Sequence, residues 1–259
     1  STDLVPDLAT NTGIPSNSAK DWKFTLRPGS TFDDGKAITC EDVRYGASRV
    51  FAQDVLPDGP TYLIGWLDTG KETYPGPYKA TAAQQAAYDK AVECSADHRT
   101  ITFHLKQSVG DFNYLLTYPV VSPVQKAKDN GDKYDLFPQA TGPYKIKENN
   151  KSRLLLVRNP AWKASSDPIR TPYPDQVVLE FGLDQELMDQ IILSNSIPGA
   201  MNFDGPLPTN LKKFFEGTTF KGGKYNKDTA FVGYIAFNVK KMPCLQIRKA
   251  MYFARNAKA

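Results

Sequence analysis

An α/β fold with a mixed β-sheet follows from the way two periodicities interleave along this chain. Trp22, Phe24 and Leu26 alternate with Lys23 and Thr25, and Ile101, Phe103 and Leu105 alternate with Thr102, His104 and Lys106. A period of two is the mark of a half-buried strand. Helix-forming stretches lie between such runs, but the joining loops are too long for strict strand–helix pairs, which favours a mixed sheet. At 259 residues the chain can form one large domain or two small ones.

In chain order, the first strand spans Asp21 to Arg27 and stops at Pro28-Gly29-Ser30. Asp33-Asp34-Gly35-Lys36 reads as a turn whose glycine can take positive φ. Thr39, with Asp42 three residues on, suits a helix start, because a carboxylate near the positive helix end is favourable. The helix then runs from about Glu41 to Phe51 with Val43, Ala47 and Val50 on one face. Leu56 to Tyr78, rich in Gly, Pro and aromatics, reads as a long surface loop. Ala80 to Cys94 carries good helix formers. The second clear strand follows, with His104 on its outward face, and a subdomain boundary is expected near Gln125. Tyr144–Lys147 and Leu154–Arg158 flank Asn149-Asn150 as a β-hairpin. A strand at Val177–Phe181, an amphipathic helix at Asp184–Leu193, a strand at Tyr234–Val239 and a helix at Leu245–Ala254 complete the reading. The chain ends without a helix C-cap, as an interior cut would.

Composition narrows the function classes. With 41% hydrophobic and 23% charged residues, the chain has the balance of a soluble globular protein rather than a disordered tail or fibre. No apolar run approaches the roughly 18 residues of a membrane span. The 32 basic and 28 acidic residues leave +4, and the basic ones are scattered, whereas nucleic-acid binders cluster theirs. The 13 tyrosines suit a ligand groove, since a phenol packs while its hydroxyl stays wet, and they suit a half-buried sheet surface as well. The N-terminal Ser1-Thr2-Asp3-Leu4-Val5 has neither the basic nor the apolar region of a signal peptide. A mature exported protein and a fragment both begin this way.

Cys40, Cys94 and Cys244 show no C-x-x-C spacing, and the only imidazoles are His98 and His104. A zinc site therefore lacks support, and no metal or cofactor is expected. In an exported protein one pair would close; Cys40–Cys94 is favoured and would close a loop of about 55 residues, worth roughly 4 kcal/mol. Three reduced cysteines in a cytosolic protein remain the alternative. No G-x-S-x-G elbow, H-E-x-x-H helix, P-loop or strand-linked G-x-G-x-x-G occurs. A secreted hydrolase would have to use His98 or His104, both on or beside a surface strand. Asp33-Asp34 is better explained by its turn than by acid–base work. Asn150-Lys151-Ser152 is a formal glycosylation acceptor and equally a hairpin tip.

Several blocks together carry a resemblance. Pro6-Asp7-Leu8-Ala9 is followed by Trp22-Lys23-Phe24-Thr25-Leu26-Arg27-Pro28-Gly29, then by Phe32-Asp33-Asp34-Gly35-Lys36 and Thr39-Cys40-Glu41-Asp42-Val43. Val121-Ser122-Pro123-Val124, Thr141-Gly142-Pro143-Tyr144-Lys145-Ile146, Leu156-Val157-Arg158-Asn159-Pro160-Ala161-Trp162 and Ala236-Phe237-Asn238 continue in order. In this order the blocks resemble the extracytoplasmic substrate-binding proteins of peptide/nickel-type ABC importers, the oligopeptide- and dipeptide-binding family. The Cys40–Cys94 pairing resembles the actinobacterial branch. The family's P-F-x-D-x-R-x-R-x-A motif appears as Pro243-Cys244-Leu245-Gln246-Ile247-Arg248-Lys249-Ala250, shortened and with only Arg248 matching an arginine. The usual D-R near the end gives way to Arg255-Asn256-Ala257.

The resemblance implies a periplasmic-binding-protein-like fold of type II. It assigns residues 1–125 to a small extra α/β domain and 126–259 to the middle portion of lobe one, with the second lobe missing. It implies capture of an oligopeptide or similar solute between two lobes and delivery to an ABC permease in the membrane, without catalysis or a cofactor. The implied protein is a monomer, extracytoplasmic, and either secreted or lipid-anchored. By position, Tyr62, Val232, Gly233 and Tyr234 are ligand-binding candidates, with Phe203 and Asp204 behind them; Gly233 fits a close backbone approach to ligand. A sensor that binds without transport is the remaining alternative to uptake and hydrolysis.

Overall fold

A computed structural model describes residues 3–71, 73–203, 205–216 and 236–254. The chain divides into two compact units, Ser1–Gly182 and Leu183–Ala259.

The first unit is built on a four-stranded sheet of β1 (Ile14–Ser16), β2 (Asp21–Thr25), β3 (Val92–Cys94) and β4 (Thr100–His104). The order is β1-β2-β4-β3, antiparallel at every pairing. Register places Trp22 opposite Phe103 and Phe24 opposite Ile101, so the alternation seen in the sequence puts all four on one buried face. Phe103 packs on Phe112 with ring centroids 5.3 Å apart, and Phe24 meets Phe103 edge-on at 6.0 Å. The Trp22 indole satisfies its N–H on the Val109 carbonyl at 3.1 Å, as a buried indole requires.

Helices α1 (Cys40–Arg49), α2 (Tyr62–Trp66), α3 (Ala82–Ala91) and α4 (Phe112–Leu115) belong to this unit. Thr39 caps α1 as expected: its backbone N–H and its hydroxyl both donate to Asp42 Oδ2, at 2.9 and 2.8 Å. Gly35 turns with φ 84°. Two expectations change. The stretch Leu56–Tyr78 is not merely a surface loop, because it forms α2 and buries Leu63, Leu67 and Tyr74 in the core. The Ala80–Cys94 helix ends at Ala91, where Val92 leaves to pair with Phe103; a β-branched residue gains more from that sheet edge than from another helical turn.

Cys40 and Cys94 are disulfide-bonded, joining the start of α1 to the end of β3 with Cα atoms 5.7 Å apart. The fully reduced alternative therefore does not hold, and Cys244 is free and exposed. Gln125, where a boundary was expected, is buried and donates to both oxygens of Asp34 at 3.2 Å.

A second sheet, β5 (Tyr144–Asn149), β6 (Arg153–Arg158) and β7 (Gln176–Glu180), is an antiparallel meander with a register shift between Ile146 and Glu148. The Asn150 side chain closes the hairpin by accepting from the Ser152 and Arg153 N–H groups at 3.0 and 2.9 Å. Both described sheets are thus antiparallel throughout, not mixed as expected: β1 and β2, β3 and β4, and β5 and β6 are joined by chain too short for the crossover that a parallel pair needs.

The second unit contains α5 (Gln185–Ser194), α6 (Pro208–Glu216) and α7 (Leu245–Ala254). Asp184 caps α5 through the Glu186 and Leu187 N–H groups at 3.0 and 3.2 Å, and Asn195 ends it in the left-handed region. The apolar stripe expected on α5 is only half-buried, with Leu187 47% exposed. Its fully buried residue is Asp189, at 0%. Asp189 Oδ2 accepts from the Leu207 N–H and from Asn210 Nδ2, both at 2.9 Å, and Oδ1 accepts from Gln185 at 3.1 Å. One carboxylate thus satisfies donors at the start of α6 and clamps it to α5.

The strand expected at Tyr234–Val239 lies partly outside the described residues. Its described part, from Ala236, forms no strand: Asn238 Oδ1 accepts from the Lys240 and Lys241 N–H groups at 3.1 Å and starts a turn. Asparagine favours this local bonding over a sheet ladder.

Two measurements test these packings. A Cβ on Gly46 would sit 2.0 Å from the Ser122 carbonyl oxygen, whereas one on Gly110 would meet nothing within 4 Å. Gly46→Ala is expected to lower stability by about 1–3 kcal/mol and Gly110→Ala to change it by less than about 0.5 kcal/mol in urea denaturation; equal effects contradict the packing. Burial works to raise the Asp189 pKa, but hydrogen bonds from Asn210, Leu207 and Gln185, with the Lys213 charge, hold it below the ordinary 3.8. Because the folded pKa is depressed, the carboxylate's stabilisation is complete above the unfolded value and fades as pH falls through the folded one. Asp189→Asn should cost about 1–3 kcal/mol at pH 7 and clearly less at pH 3. A pH-independent difference would show that the charge is immaterial.

Candidate functional site

Tyr62 opens α2, a helix of five residues. The helix is held from below by Leu63 and Leu67, both buried in the core. It is clipped to the sheet where the Lys106 N–H donates to the Trp66 carbonyl at 2.8 Å and Asp68 N–H to the His104 carbonyl at 2.9 Å. Tyr62 stacks on Trp66 with centroids 5.6 Å apart and planes 28° from parallel, and Trp66 rests against Phe112 at 6.4 Å. The Tyr62 side of this stack is 53% exposed. A short helix that contributes little stability of its own is thereby fixed by core contacts, and it offers an aromatic plane with a hydroxyl at its edge. Such a surface can cover peptide planes or apolar groups and donate or accept one hydrogen bond.

Phe203 belongs to the second unit, on the segment between α5 and α6, and is 86% exposed beside the exposed Met201. Asp204, Val232, Gly233 and Tyr234 lie outside the described residues. Of the sequence candidates, the structure therefore describes one aromatic in each unit.

The two histidines are engaged with carboxylates. His98 Nδ1 lies 2.7 Å from Glu41 Oε1. Burial tends to raise the Glu41 pKa, but bonds from His98 and from its own backbone bring it below the usual range. His104 Nδ1 is 2.8 Å from Asp21 Oδ1, and its Nε2 is 3.5 Å from Glu93 Oε2. With both nitrogens facing carboxylates across a sheet surface, His104 is engaged by Asp21 and Glu93 and has no nucleophile beside it among the contacts of its ring. Among the described residues no group of three or more His, Cys, Asp or Glu is placed to hold a metal ion.

The sequence reading missed a buried polar knot. Arg49 pairs with Asp129 at 3.3 Å, donates to the Gly131 carbonyl at 3.1 Å and lies over the Tyr134 ring at 4.7 Å. The Tyr45 and Tyr78 hydroxyls donate to the same Asp129 oxygen at 2.8 and 2.7 Å. Burial, reinforced by Asp129, pushes the Tyr45 hydroxyl well above its ordinary pKa, so it stays a donor. Tyr45 and Arg49 stand at i and i+4, on one face of α1. That spacing was the available signal, although the partners lie some eighty residues on. Beside the knot is a cavity of about 430 Å³ lined by α1 and three later segments.

Comparison with known proteins gives the chain a fold and a family. The chain is 30% identical over 149 residues to the periplasmic oligopeptide-binding protein OppA of Salmonella typhimurium, a match covering 55% of this chain and 26% of OppA. A solved structure titled clavulanic acid biosynthesis oligopeptide binding protein 2 superposes with a TM-score of 0.76 at 36% identity, covering 83% of this chain and 38% of that one. The substrate-binding domain of an oligopeptide ABC transporter from Bacillus anthracis superposes with a TM-score of 0.54 at 18% identity, over 74% of this chain and 36% of that one, and shares the fold. The chain thus spans well under half the length of these relatives. The fold is that of the type II periplasmic binding proteins. The family described as bacterial extracellular solute-binding proteins, family 5, middle region, matches residues 3–259, and this chain belongs to it.

Proposed function

We propose that this chain forms part of the solute-binding component of an ABC importer. In this reading it captures oligopeptides or similar small solutes in a cleft between lobes and passes them to a membrane permease, without making or breaking a bond. The observation that carries the reading is the family match across residues 3–259, and the oligopeptide-binding names of the Salmonella protein and of the solved relative point to the ligand class. Within the family arrangement, residues 1–125 would be the small extra domain and 126–259 the middle of lobe one. The mature protein would act as an extracytoplasmic monomer, secreted or lipid-anchored.

Tyr62 suits this work. A planar, core-braced aromatic covers backbone and apolar side chains alike without choosing among sequences, and water around a bound peptide adapts to the remainder. Val232, Gly233, Tyr234, Phe203 and Asp204 are the companions proposed for it, with the Asp204 carboxylate suited to a ligand amine.

Calorimetry on the intact protein tests the assignment. Short peptides of differing side chains should bind with similar affinity, Tyr62→Ala should weaken them about tenfold, and acetylating the peptide amine should abolish binding. Equal binding of the acetylated peptide would overturn the peptide reading.

A further inference from the structure

One motif in the sequence has no part in solute capture. Asn150-Lys151-Ser152 is the only Asn-x-Ser/Thr triplet in the chain. It forms the tip of the hairpin between β5 and β6, and all three residues are exposed. A triplet alone carries little weight. What sets this one apart is the way the fold holds its carboxamide.

Asn150 Oδ1 accepts from three donors: the Ser152 N–H at 3.0 Å, the Ser152 hydroxyl at 3.0 Å and the Arg153 N–H at 2.9 Å. Three donors on one atom identify it as the oxygen and leave the nitrogen on the other side of the group. The same bonds polarise the amide and make its N–H easier to lose. Nδ2 donates one hydrogen to Glu148 Oε1 at 2.8 Å, and its second hydrogen has no acceptor among the described residues. Glu148 lies 3.4 Å from Arg153 Nη1, and its charge grips the carboxamide more firmly than a neutral acceptor would. Replacing the second hydrogen therefore breaks no hydrogen bond. Oδ1 keeps its three donors, and Nδ2 keeps one N–H for Glu148.

We propose that Asn150 is an acceptor for an N-linked glycan, with Glu148 as the positioning residue that presents its Nδ2. In the transfer, Nδ2 forms a bond to the anomeric carbon of a polyprenyl-pyrophosphate-linked glycan. The bond from that carbon to the pyrophosphate oxygen breaks, and the pyrophosphate leaves with the electron pair. The displaced proton passes to a base of the transferase, and nothing is oxidised or reduced. A hairpin tip in solvent leaves room for the glycan. Of the function proposed above, this site requires only that the chain be extracytoplasmic.

The test incubates the intact folded protein with a bacterial oligosaccharyl transferase and its polyprenyl-pyrophosphate-linked glycan, and follows intact mass with peptide mapping. One glycan should be added per chain, at Asn150, and the product should melt no lower than the unmodified protein. Glu148→Gln keeps an acceptor but loses the charge, and should slow the addition at least about fivefold. Glu148→Asp, which restores the carboxylate, should recover most of the rate, and Tyr62→Ala should be modified as the wild type is. No addition to the folded protein, addition at another asparagine, or a product with a lowered melting temperature overturns the proposal. So does an undiminished rate in Glu148→Gln, or a Glu148→Asp rate no higher than that of Glu148→Gln, since either would show that the carboxylate does not position Nδ2.

Discussion

The first unit depends on how closely α1 approaches the backbone at Ser122–Val124. Asp42, Gly46 and Arg49 fall at i, i+4 and i+7, on a single face of the helix. The Asp42 carbonyl accepts from the Val124 N–H at 2.9 Å. Gly46 leaves the space that the Ser122 carbonyl occupies, and Arg49 reaches Asp129. At the head of the same helix Cys40 is bonded to Cys94. Sheet, helix and the long segment beyond Val121 are therefore held through one ten-residue element. A side chain larger than hydrogen in its middle would force these fixings apart together rather than one by one.

Much of this was legible locally. The alternation in β2 and β4, the Thr39–Asp42 capping box, the hairpin around Asn150 and the start of α5 at Asp184 are set by neighbours in sequence, and each was readable from residue type and spacing. What could not be read depends on distant partners. Leu63, Leu67 and Tyr74 sit in a stretch whose glycines and prolines suggest a surface loop, and their burial follows from the sheet they happen to reach. Val92 leaves its helix only because β4 is there to receive it. Asp189 sits on α5 where a periodicity argument looks for leucine, and its donors arrive from Leu207 and Asn210. Tyr62 is a candidate through family resemblance alone, whereas its stacking on Trp66 is a property of the fold. The Arg49–Asp129 knot had only half its signal in α1.

Each unit has a buried carboxylate, Asp129 or Asp189, that several donors meet. Apolar packing drives the sheet and helices together, but a hydrocarbon core tolerates many near-equivalent arrangements. The buried knot on Asp129 and the carboxylate of Asp189 accept only one set of donors each, since an unmatched buried charge is strongly destabilising. Capture by lobe closure, as in the proposed function, asks each moving body to keep its shape while the hinge bends. Interlocked hydrogen bonds that fail together give that kind of stiffness.

The disulfide has one more effect, on what happens when the chain is cut. Pro57, Asp58 and Gly59 lie exposed within the span that Cys40 and Cys94 enclose, the sort of loop tip that proteases choose. A nick there would leave both pieces covalently joined, with Leu63 and Leu67 still seated in the core. Such a molecule would run as intact on a denaturing gel without reductant and separate into two fragments only when the bridge is reduced.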